Sequence, residues 1–332
     1  MIKSKRNLAL WVVFLAAAGI APHVLGIVKT NVLVELAGFV LYAVSLNLLL
    51  SYTGVLSFGH ALFYGVGAYT TALLLYHVEG FPVIGALLLS GLAAGVIGLI
   101  LSPLLVRVTG TAFAMLTLAF GQLMFILCLK FREVTGGEDG IAGYDVPNLN
   151  IPGIASFDML DPTVFYYFAL AVCVIGVLIM WYITKTPLGQ VVVGIRDNTL
   201  RVDYLGYKVP QTKAIVFAVS GFFAGIAGSL FALFQGIVST DGVLHIMVSF
   251  YPIMAILIGG IGTFFGPILG SGILIVLEDL IMRYTERAEL ITGLLFIGVV
   301  LYAPGGLLWL WRGLMAKLFG SKSQPASEEV EA

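Results

Sequence analysis

Long apolar stretches with almost no charge dominate this sequence and decide what it can fold into. A helix needs roughly 20 apolar residues to cross the hydrocarbon core of a bilayer. Ten stretches reach or nearly reach that length: 8–27, 33–51, 57–76, 83–105, 111–129, 163–184, 214–234, 247–262, 265–282 and 291–311. Only 11% of the residues are charged, against roughly 25% in an ordinary soluble domain. The sequence therefore predicts an all-α, polytopic integral membrane bundle of about 10 transmembrane helices.

The positive charges predict which way the spans run, because Lys and Arg collect on the cytoplasmic side. If both the N and C termini are cytoplasmic, twelve Lys and Arg residues lie in cytoplasmic segments and five in external ones. The longest loops are then the cytoplasmic segment 185–213 and the acidic external segment 130–161. We assign 1–316 to a transmembrane domain and 317–332 to a disordered cytoplasmic tail, whose small, acidic residues are typical of disorder. The first span is also compatible with a cleaved secretory signal.

Residue types that carry catalysis or bind cofactors are scarce. The cysteines, Cys128 and Cys173, lie in apolar stretches and are interpreted as packing residues rather than a metal site. Glycine runs such as GGIGTFFG are not followed by Gly-Lys-Ser/Thr, so no phosphate-binding loop is predicted. A net charge of −1 disfavours nucleic acid as a partner. We therefore expect neither an enzyme nor a cofactor or metal bound by this chain.

Small residues recur four positions apart within the spans, as in Gly91/Gly95, Gly221/Gly225, Ala224/Gly228 and Gly262/Gly266/Gly270. Such spacing lets helix backbones approach closely in lipid. Only residues 259–263 separate the eighth span from the ninth, so this pair is either a tight helical hairpin or one broken helix.

Charged residues are absent from the middle of every predicted span. Glu35 and the pair Glu278-Asp279 lie near the predicted external ends, where a charge costs little. Proton- and ion-driven carriers usually hold an ionisable residue within the membrane. The energy source is therefore predicted to lie outside this chain.

The cytoplasmic segment KTPLGQVVVGIRDNTLRVDYLGYKVPQTK (185–213) contains helix signals. Asn198 can cap a helix from Thr199 to Leu205 that stops at Gly206, with Pro210 soon after. A helix this short is not stable alone in water. It therefore packs either on the base of its own bundle or on a separate cytoplasmic protein.

The motif PLG(x)₅IRDNxLRxDYLG in this segment, followed by KAIVFAVSGFFAGIAGSLFAL, resembles the coupling loop and next helix of branched-chain amino acid ABC permeases, in particular the LivM branch. Three further stretches agree in order: NLLLSYTGVLSFGHALFYGVGAYTTALL (47–74), TAFAMLTLAFGQ with TGGEDGI (111–141), and LIGGIGTFFGPILGSG with LYAPGGL (257–307). The resemblance implies a non-catalytic permease subunit in the bacterial cytoplasmic (inner) membrane. It also implies a second homologous permease, two cytoplasmic ATP-binding subunits that use ATP and Mg, and a periplasmic or extracellular substrate-binding protein.

Carried over by position, the resemblance assigns the ATPase-coupling loop to Gly189, Arg196, Asp197, Asn198, Asp203 and Gly206. Such permeases usually have Ala-Glu-Ala before the glycine, whereas this chain has Val202, Asp203 and Tyr204, so the acid is kept and the small residues are not. The implied substrates are leucine, isoleucine and valine. Close branches move urea, short amides or other small carboxylates, and the spans do not discriminate between these. A self-sufficient secondary carrier or channel is the alternative from a different class.

Two sets of residues are candidates for the transport route. The second and third spans contribute Asn47, Ser57, His60, Tyr64 and Tyr69. Buried polar groups in hydrocarbon need partners, so these residues either line the route or bond between helices. The external TGGEDGI sequence contributes Thr135, Gly136, Gly137 and Asp139, which form either a pathway mouth or binding-protein contact, as the resemblance implies, or a glycine-rich turn.

Overall fold

A computed structural model of the chain describes residues 19, 22, 27–151, 155–285 and 287–302. Nearly all of the predicted first span, the end of the tenth and the predicted tail 317–332 lie outside these residues. In chain order the elements are α1 (Ile27–Asn47), a π-helical segment (Leu48–Thr53), α2 (Ala61–His77), α3 (Val83–Leu105), α4 (Thr111–Lys130), α5 (Arg132–Thr135), β1 (Ile141–Ala142), β2 (Leu149–Ile151), β3 (Ala155–Phe157), α6 (Pro162–Lys185), α7 (Pro187–Asp197), α8 (Thr199–Tyr204), α9 (Val209–Gln235), β4 (Ile237–Val238), α10 (Thr240–Leu244), α11 (Ile246–Gly259), α12 (Gly266–Met282) and α13 (Ala288–Tyr302).

A helix stands at each predicted span from the second to the tenth. Within the described residues, six helical segments are long and apolar enough to cross a membrane: Lys29–Thr53, Val83–Leu105, Thr111–Lys130, Pro162–Lys185, Val209–Gln235 and Thr240–Gly259. The helices α2 and α12 have 17 residues each, and α13 has 15 up to its last described residue. The helical membrane bundle is thus confirmed, whereas the number of about 10 spans stays a prediction.

The centre of the bundle is α9, which packs on α3, α2 and α1. Small residues allow these contacts, because a methyl group at Gly225 would lie 2.6 Å from Cβ of Ala94 and 2.8 Å from the carbonyl oxygen of Ser90. A methyl group at Gly67 would overlap the backbone of Gly225, and one at Gly228 would overlap the carbonyl of Tyr64. Close backbone approach at small residues is therefore confirmed for α9 and its neighbours.

The eighth and ninth predicted spans form a tight hairpin of two separate helices. The backbones of α11 and α12 touch antiparallel at Gly259 against Gly266 and at Ala255 against Gly270. Gly262 has a φ of +81° and lies in the turn, where a side chain at this position would meet nothing within 4 Å. The prediction that Gly262 belongs to a helix-packing series was therefore wrong. A glycine is favoured at this position because the turn requires a positive φ.

Short strands are an addition to the predicted all-α fold. The strand β1 pairs antiparallel with β4, with Ile141 opposite Val238. In the predicted external segment, β2 pairs antiparallel with β3. Both pairs lie outside the long helices, and the β1–β4 pair ties the predicted external segment to the end of α9.

The connecting segments gather at two ends of the bundle. At one end, Arg196 bonds to Ser51 and Ser51 bonds to Gly262. At the other end, β1 pairs with β4, and Thr240 bonds to Gly137. This grouping matches the predicted division into cytoplasmic and external segments. The side of the membrane that each end faces stays a prediction.

Candidate functional site

A cavity of about 270 Å³ lies between α1, α2, α9, α11 and α12, in the predicted external half of the bundle. Most of its wall is apolar, with Leu230, Phe231, Phe234, Val248, Leu274 and Ile275 among the lining residues. Two carboxylates, Glu35 and Glu278, also line it, and the described lining residues include no Lys, Arg or His. A small cavity with apolar walls and few polar groups is typical of a site for a small molecule. The two carboxylates of this lining suit a positive group on a ligand.

The inner end of the cavity is formed by two tyrosines. The rings of Tyr42 on α1 and Tyr64 on α2 lie with their centroids 4.6 Å apart, and both line the cavity. The imidazole of His60 stacks on Tyr42 at 5.3 Å, and Phe63 meets His60 edge-on at 5.6 Å. His60 is fully buried, so these rings form a closed aromatic layer, which we call the cavity floor (Tyr42, His60, Phe63 and Tyr64).

Hydrogen bonds around Ser45 hold the His60 ring in place. The Ser45 hydroxyl lies 2.7 Å from the carbonyl of Tyr42 and 2.9 Å from His60 Nε2. The hydroxyl of Ser220 on α9 donates to the Ser45 carbonyl at 2.6 Å. His60 Nδ1 has no hydrogen-bond partner in the described part of the chain.

The five predicted route residues are not brought together in one lining. Tyr64 lines the cavity, and His60 lies one layer below it. Ser57 is buried, and its hydroxyl has no partner among the described residues. Asn47 bonds to the turn between α11 and α12. The Tyr69 hydroxyl bonds to that of Thr240 at 2.8 Å, so Tyr69 joins two helices and does not line the cavity.

Residues that sequence reasoning missed complete the cavity. Tyr42 was not singled out, and Glu35 and Glu278 were interpreted as interfacial charges only. A signal for them was present: Glu35, Gly38 and Tyr42 are spaced three and four apart and share one face of α1. All three line the cavity.

The TGGEDGI sequence, in the predicted external segment, forms a compact turn. The Thr135 hydroxyl donates to the carbonyl of Phe131 at 2.9 Å, and Gly136 and Gly137 both have positive φ. A methyl group at Gly136 would overlap the carbonyl of Gly140, so this turn requires glycine. Asp139 is exposed.

The same turn is anchored to the helices. The Thr240 hydroxyl donates to the carbonyl of Gly137 at 2.8 Å, and Tyr69 bonds to Thr240 in turn. The Tyr144 hydroxyl donates to the carbonyl of Ala232 on α9 at 2.6 Å. Burial raises the pKa of Tyr144 above its ordinary value, so this hydroxyl keeps the proton that it donates. The proposed mouth residues thus form a fixed turn beside α2 and α9, and their contact with a partner stays a prediction.

The predicted cytoplasmic segment is more helical than its sequence suggested. The helix α7 (Pro187–Asp197) was not predicted, and Pro187 stands at its first turn. The predicted short helix is confirmed as α8, because the Asn198 side chain caps it by accepting from the Arg201 N–H at 2.9 Å. Gly206 follows with a φ of +88°, the left-handed conformation that commonly ends a helix.

One side of this helical pair is buried and the other is exposed. Ile195, Val202 and Val209 form a small apolar cluster that fixes α8 to α7 and to the start of α9. On the other side, Leu200, Tyr204 and Leu205 are 69%, 89% and 70% exposed. We call these three residues the α8 surface. The sequence left open whether the helix packs on its bundle or on another protein. The structure shows Val202 packed on the same chain, and contact of the exposed side with another protein stays a prediction.

The six predicted coupling residues differ in what they contact. Gly189 is buried against the backbone of Ile183 and Thr184, and Asn198 and Gly206 shape α8. Asp197 and Asp203 are exposed. The Arg196 guanidinium donates to the Ser51 carbonyl at 2.6 Å and contacts Asp197 at 3.0 Å. Arg196 therefore also links α7 to the transmembrane bundle.

Comparison with known proteins gives one family. The model of the family described as "Branched-chain amino acid transport system / permease component" matches residues 29–303. The chain is 30% identical over 289 residues to the high-affinity branched-chain amino acid transport system permease protein LivM of Salmonella typhimurium, covering 81% of this chain and 67% of that protein. LivM of Escherichia coli gives the same figures. A probable LivH permease of Methanocaldococcus jannaschii is 27% identical over 283 residues, covering 81% of this chain and 87% of the relative. No solved structure matches.

Proposed function

We propose, since this chain belongs to the family of permease components of branched-chain amino acid transport systems, that it is a transmembrane subunit of an ATP-binding cassette importer. It moves leucine, isoleucine and valine into the cytoplasm by alternating access. Movement of cytoplasmic ATPases displaces α7 and α8, and the bundle changes which end of the route is open. The chain itself carries out no reaction.

The observation that carries this proposal is the α8 surface. Leu200, Tyr204 and Leu205 are exposed on a helix whose opposite side is fixed to the bundle. Three large apolar side chains exposed on one short segment at a predicted water-facing end are typical of a protein–protein contact. A helix laid into a groove of a partner is a common recognition mode, and the charged Arg201 and Asp203 beside it suit a polar rim.

The cavity supports a substrate class. Apolar walls suit an aliphatic side chain, and Glu35 and Glu278 suit an ammonium group, because opposite charges attract strongly away from bulk water. The closed floor below them matches a state in which substrate enters from outside. Urea and short amides remain alternatives for the same importer type, and they differ from an amino acid in carrying no ammonium group.

The other subunits of the complex follow from the proposal that this chain belongs to an ATP-binding cassette importer. A second homologous permease completes the membrane domain, and the relatives include both LivM and LivH proteins. Two ATP-binding subunits use ATP and Mg to drive transport, and a periplasmic or extracellular binding protein delivers substrate. We place the chain in the bacterial cytoplasmic membrane, with segment 185–213 and both termini in the cytoplasm.

The α8 surface can be tested with a matched pair of variants. Tyr204 and Tyr284 are 89% and 84% exposed and lie at opposite ends of the bundle. We expect Tyr204→Ser, combined with Leu200→Ser, to reduce the amount of ATPase subunit that copurifies with the permease, and Tyr284→Ser to leave it unchanged. Equal recovery of ATPase from all variants would contradict the proposal.

Reconstitution into liposomes distinguishes an importer subunit from the alternative, a self-sufficient secondary carrier or channel. We expect the purified chain alone in liposomes to accumulate no radiolabelled leucine. The complete assembly, with binding protein and internal ATP, accumulates it. Accumulation by the lone chain would instead show a self-sufficient carrier, and equilibration without accumulation would show a channel.

A further inference from the structure

Three segments that are far apart in the sequence meet at the predicted cytoplasmic end. They are the π-helical segment Leu48–Thr53, the end of α7 at Arg196, and the turn 260–263 between α11 and α12. Hydrogen bonds through one residue, Ser51, join all three. We call this arrangement the Ser51 junction (Asn47, Ser51, Arg196, Gly262 and Thr263).

The first connection runs from α7 to the π-helical segment. The Arg196 guanidinium donates to the Ser51 carbonyl at 2.6 Å, across 145 residues of sequence. The side chain of Arg196 lies across Gly54, where an added methyl group would come within 2.8 Å of its Cγ. Gly54 also has a φ of +71°. Gly54 therefore ends the π-helical segment and at the same time makes room for the arginine.

The second connection runs from the π-helical segment to the α11–α12 turn. The Ser51 hydroxyl donates to Asn47 Oδ1 at 2.6 Å and accepts the Gly262 N–H at 2.9 Å. The Asn47 amide donates to the carbonyl of Thr263 at 3.1 Å. Asn47 and Ser51 are both buried, so their bonds are shielded from water and are costly to lose.

The turn leads directly to the cavity. The hairpin helices α11 and α12 pack tightly at glycine contacts, and they carry Val248, Tyr251, Leu274 and Ile275 of the cavity wall. Packed helices move as units, because close-packed interiors transmit displacement. A displacement of the turn therefore reaches the cavity through this hairpin.

The π-helical segment, which connects the other two segments of the Ser51 junction, is suited to a change of conformation. A π-helical turn is rare and occurs often at functional sites. Here it lies between α1, which carries Glu35 and Tyr42, and the flexible-backbone position Gly54. The segment ends the long helix that begins with α1, and hinges are commonly residues at the end of an element.

From these contacts we propose that Asn47 and Ser51 are positioning residues for transport. They pass a displacement of α7, through Arg196 and the π-helical segment, to the 260–263 turn and the cavity wall. This inference rests on the proposed function, because it takes the displacement of α7 to come from an ATPase. It goes further than the proposed function because it names the path of the displacement inside this chain. It also names two residues on that path, Asn47 and Ser51, that neither bind the ATPase nor touch the substrate.

The test uses the assembled complex with a spectroscopic label in the turn. Ile261 is half exposed and lies between Gly260 and Gly262. With Cys128 and Cys173 replaced by alanine, Ile261→Cys carries a single fluorophore that reports movement of the turn on addition of ATP. We expect an ATP-dependent signal in the otherwise unsubstituted complex. We also expect the signal to be lost with Ser51→Ala or Asn47→Ala.

The matched control is Ser90→Ala. Ser90 is also a fully buried serine, but its hydroxyl donates only to the Leu87 carbonyl of its own helix, at 2.8 Å. Ser90→Ala retains the signal. We expect Ser51→Ala to lower leucine uptake per ATP hydrolysed by about tenfold, because it removes the two buried hydrogen bonds of the Ser51 hydroxyl. ATPase subunits still copurify with Ser51→Ala.

Several results would overturn the inference. An ATP-dependent signal that persists in Ser51→Ala, or that is absent from the unsubstituted complex, shows that the turn does not follow the ATPase through Ser51. Loss of copurifying ATPase from Ser51→Ala shows a local structural role instead. The proposed function is tested separately from this inference by Tyr204→Ser combined with Leu200→Ser. The only readout of that test is the amount of ATPase that copurifies with the permease.

Discussion

The imidazole ring of His60 stacks on the phenol ring of Tyr42 at a centroid distance of 5.3 Å and an interplanar angle of 17°. Tyr42 lines the cavity and His60 does not. The stack therefore separates the cavity from the buried polar residues nearer the predicted cytoplasmic end. Under the proposed function, this stack opens when a substrate passes.

Truncation of His60 tests the cavity floor. His60→Ala removes a fully buried ring and its bond to Ser45, and large-to-small core substitutions cost about 2–5 kcal/mol. We expect a lower unfolding temperature of the purified protein in detergent. His60→Phe keeps a ring against Tyr42 and loses only the hydrogen bond, so its unfolding temperature falls less. An equal fall for both variants would contradict the role of ring stacking.

Neutralisation of the cavity carboxylates tests the substrate class. We expect Glu35→Gln or Glu278→Gln to raise the KM for leucine uptake by about tenfold, since a charge-assisted hydrogen bond contributes roughly 1.5–3 kcal/mol. Glu79→Gln is the control, because Glu79 is exposed and does not line the cavity. Uptake by the reconstituted complex over a range of leucine concentrations measures this. An unchanged KM in both cavity variants would exclude these carboxylates from binding.

A pair of glycine substitutions tests the helix packing. Gly67→Ala places a methyl group against the backbone of Gly225, whereas Gly272→Ala on α12 meets nothing within 4 Å. Overpacking costs about 1–3 kcal/mol, so we expect Gly67→Ala to lower the unfolding temperature. Gly272→Ala leaves it unchanged or raises it slightly, because alanine favours helix. Thermal unfolding in detergent compares them, and equal stability would contradict the close α2–α9 contact.

Cysteine labelling tests the predicted orientation. Leu160 and Tyr204 are 76% and 89% exposed at opposite ends of the bundle. With Cys128 and Cys173 replaced by alanine, we expect a membrane-impermeant maleimide to label Leu160→Cys in intact cells and to miss Tyr204→Cys until the membrane is broken. The reverse pattern would invert the orientation derived from the Lys and Arg distribution.

Features that depend on neighbouring residues were predictable. The stretch 83–105 coincides with α3, and 163–184 differs by one residue at each end from α6 (Pro162–Lys185). Asn198 and Gly206 marked the ends of α8. Hydropathy and capping are local properties, and a chain in lipid must satisfy its backbone hydrogen bonds within each helix.

Features that depend on contacts between distant segments were not predictable. The helix α7 is an exception, because Leu188, Val192 and Ile195 recur at helical spacing after Pro187 and this local signal was missed. Asn47 and Tyr69 were grouped with Tyr64 as route residues, although each bonds to a segment more than 170 residues away. Periodicity shows that Glu35 and Tyr42 share a face of α1, but not what that face meets.

The sequence by itself determined that the chain forms apolar helices, where most of them begin and end, and which connecting segments share a side. Only the tertiary structure decided that Tyr42 and Tyr64 close a cavity, and that Arg196 reaches Ser51. The physical reason is that helix formation in lipid is governed by residues within a few turns of one another. Side-chain partners are instead set by which faces of separate helices pack together.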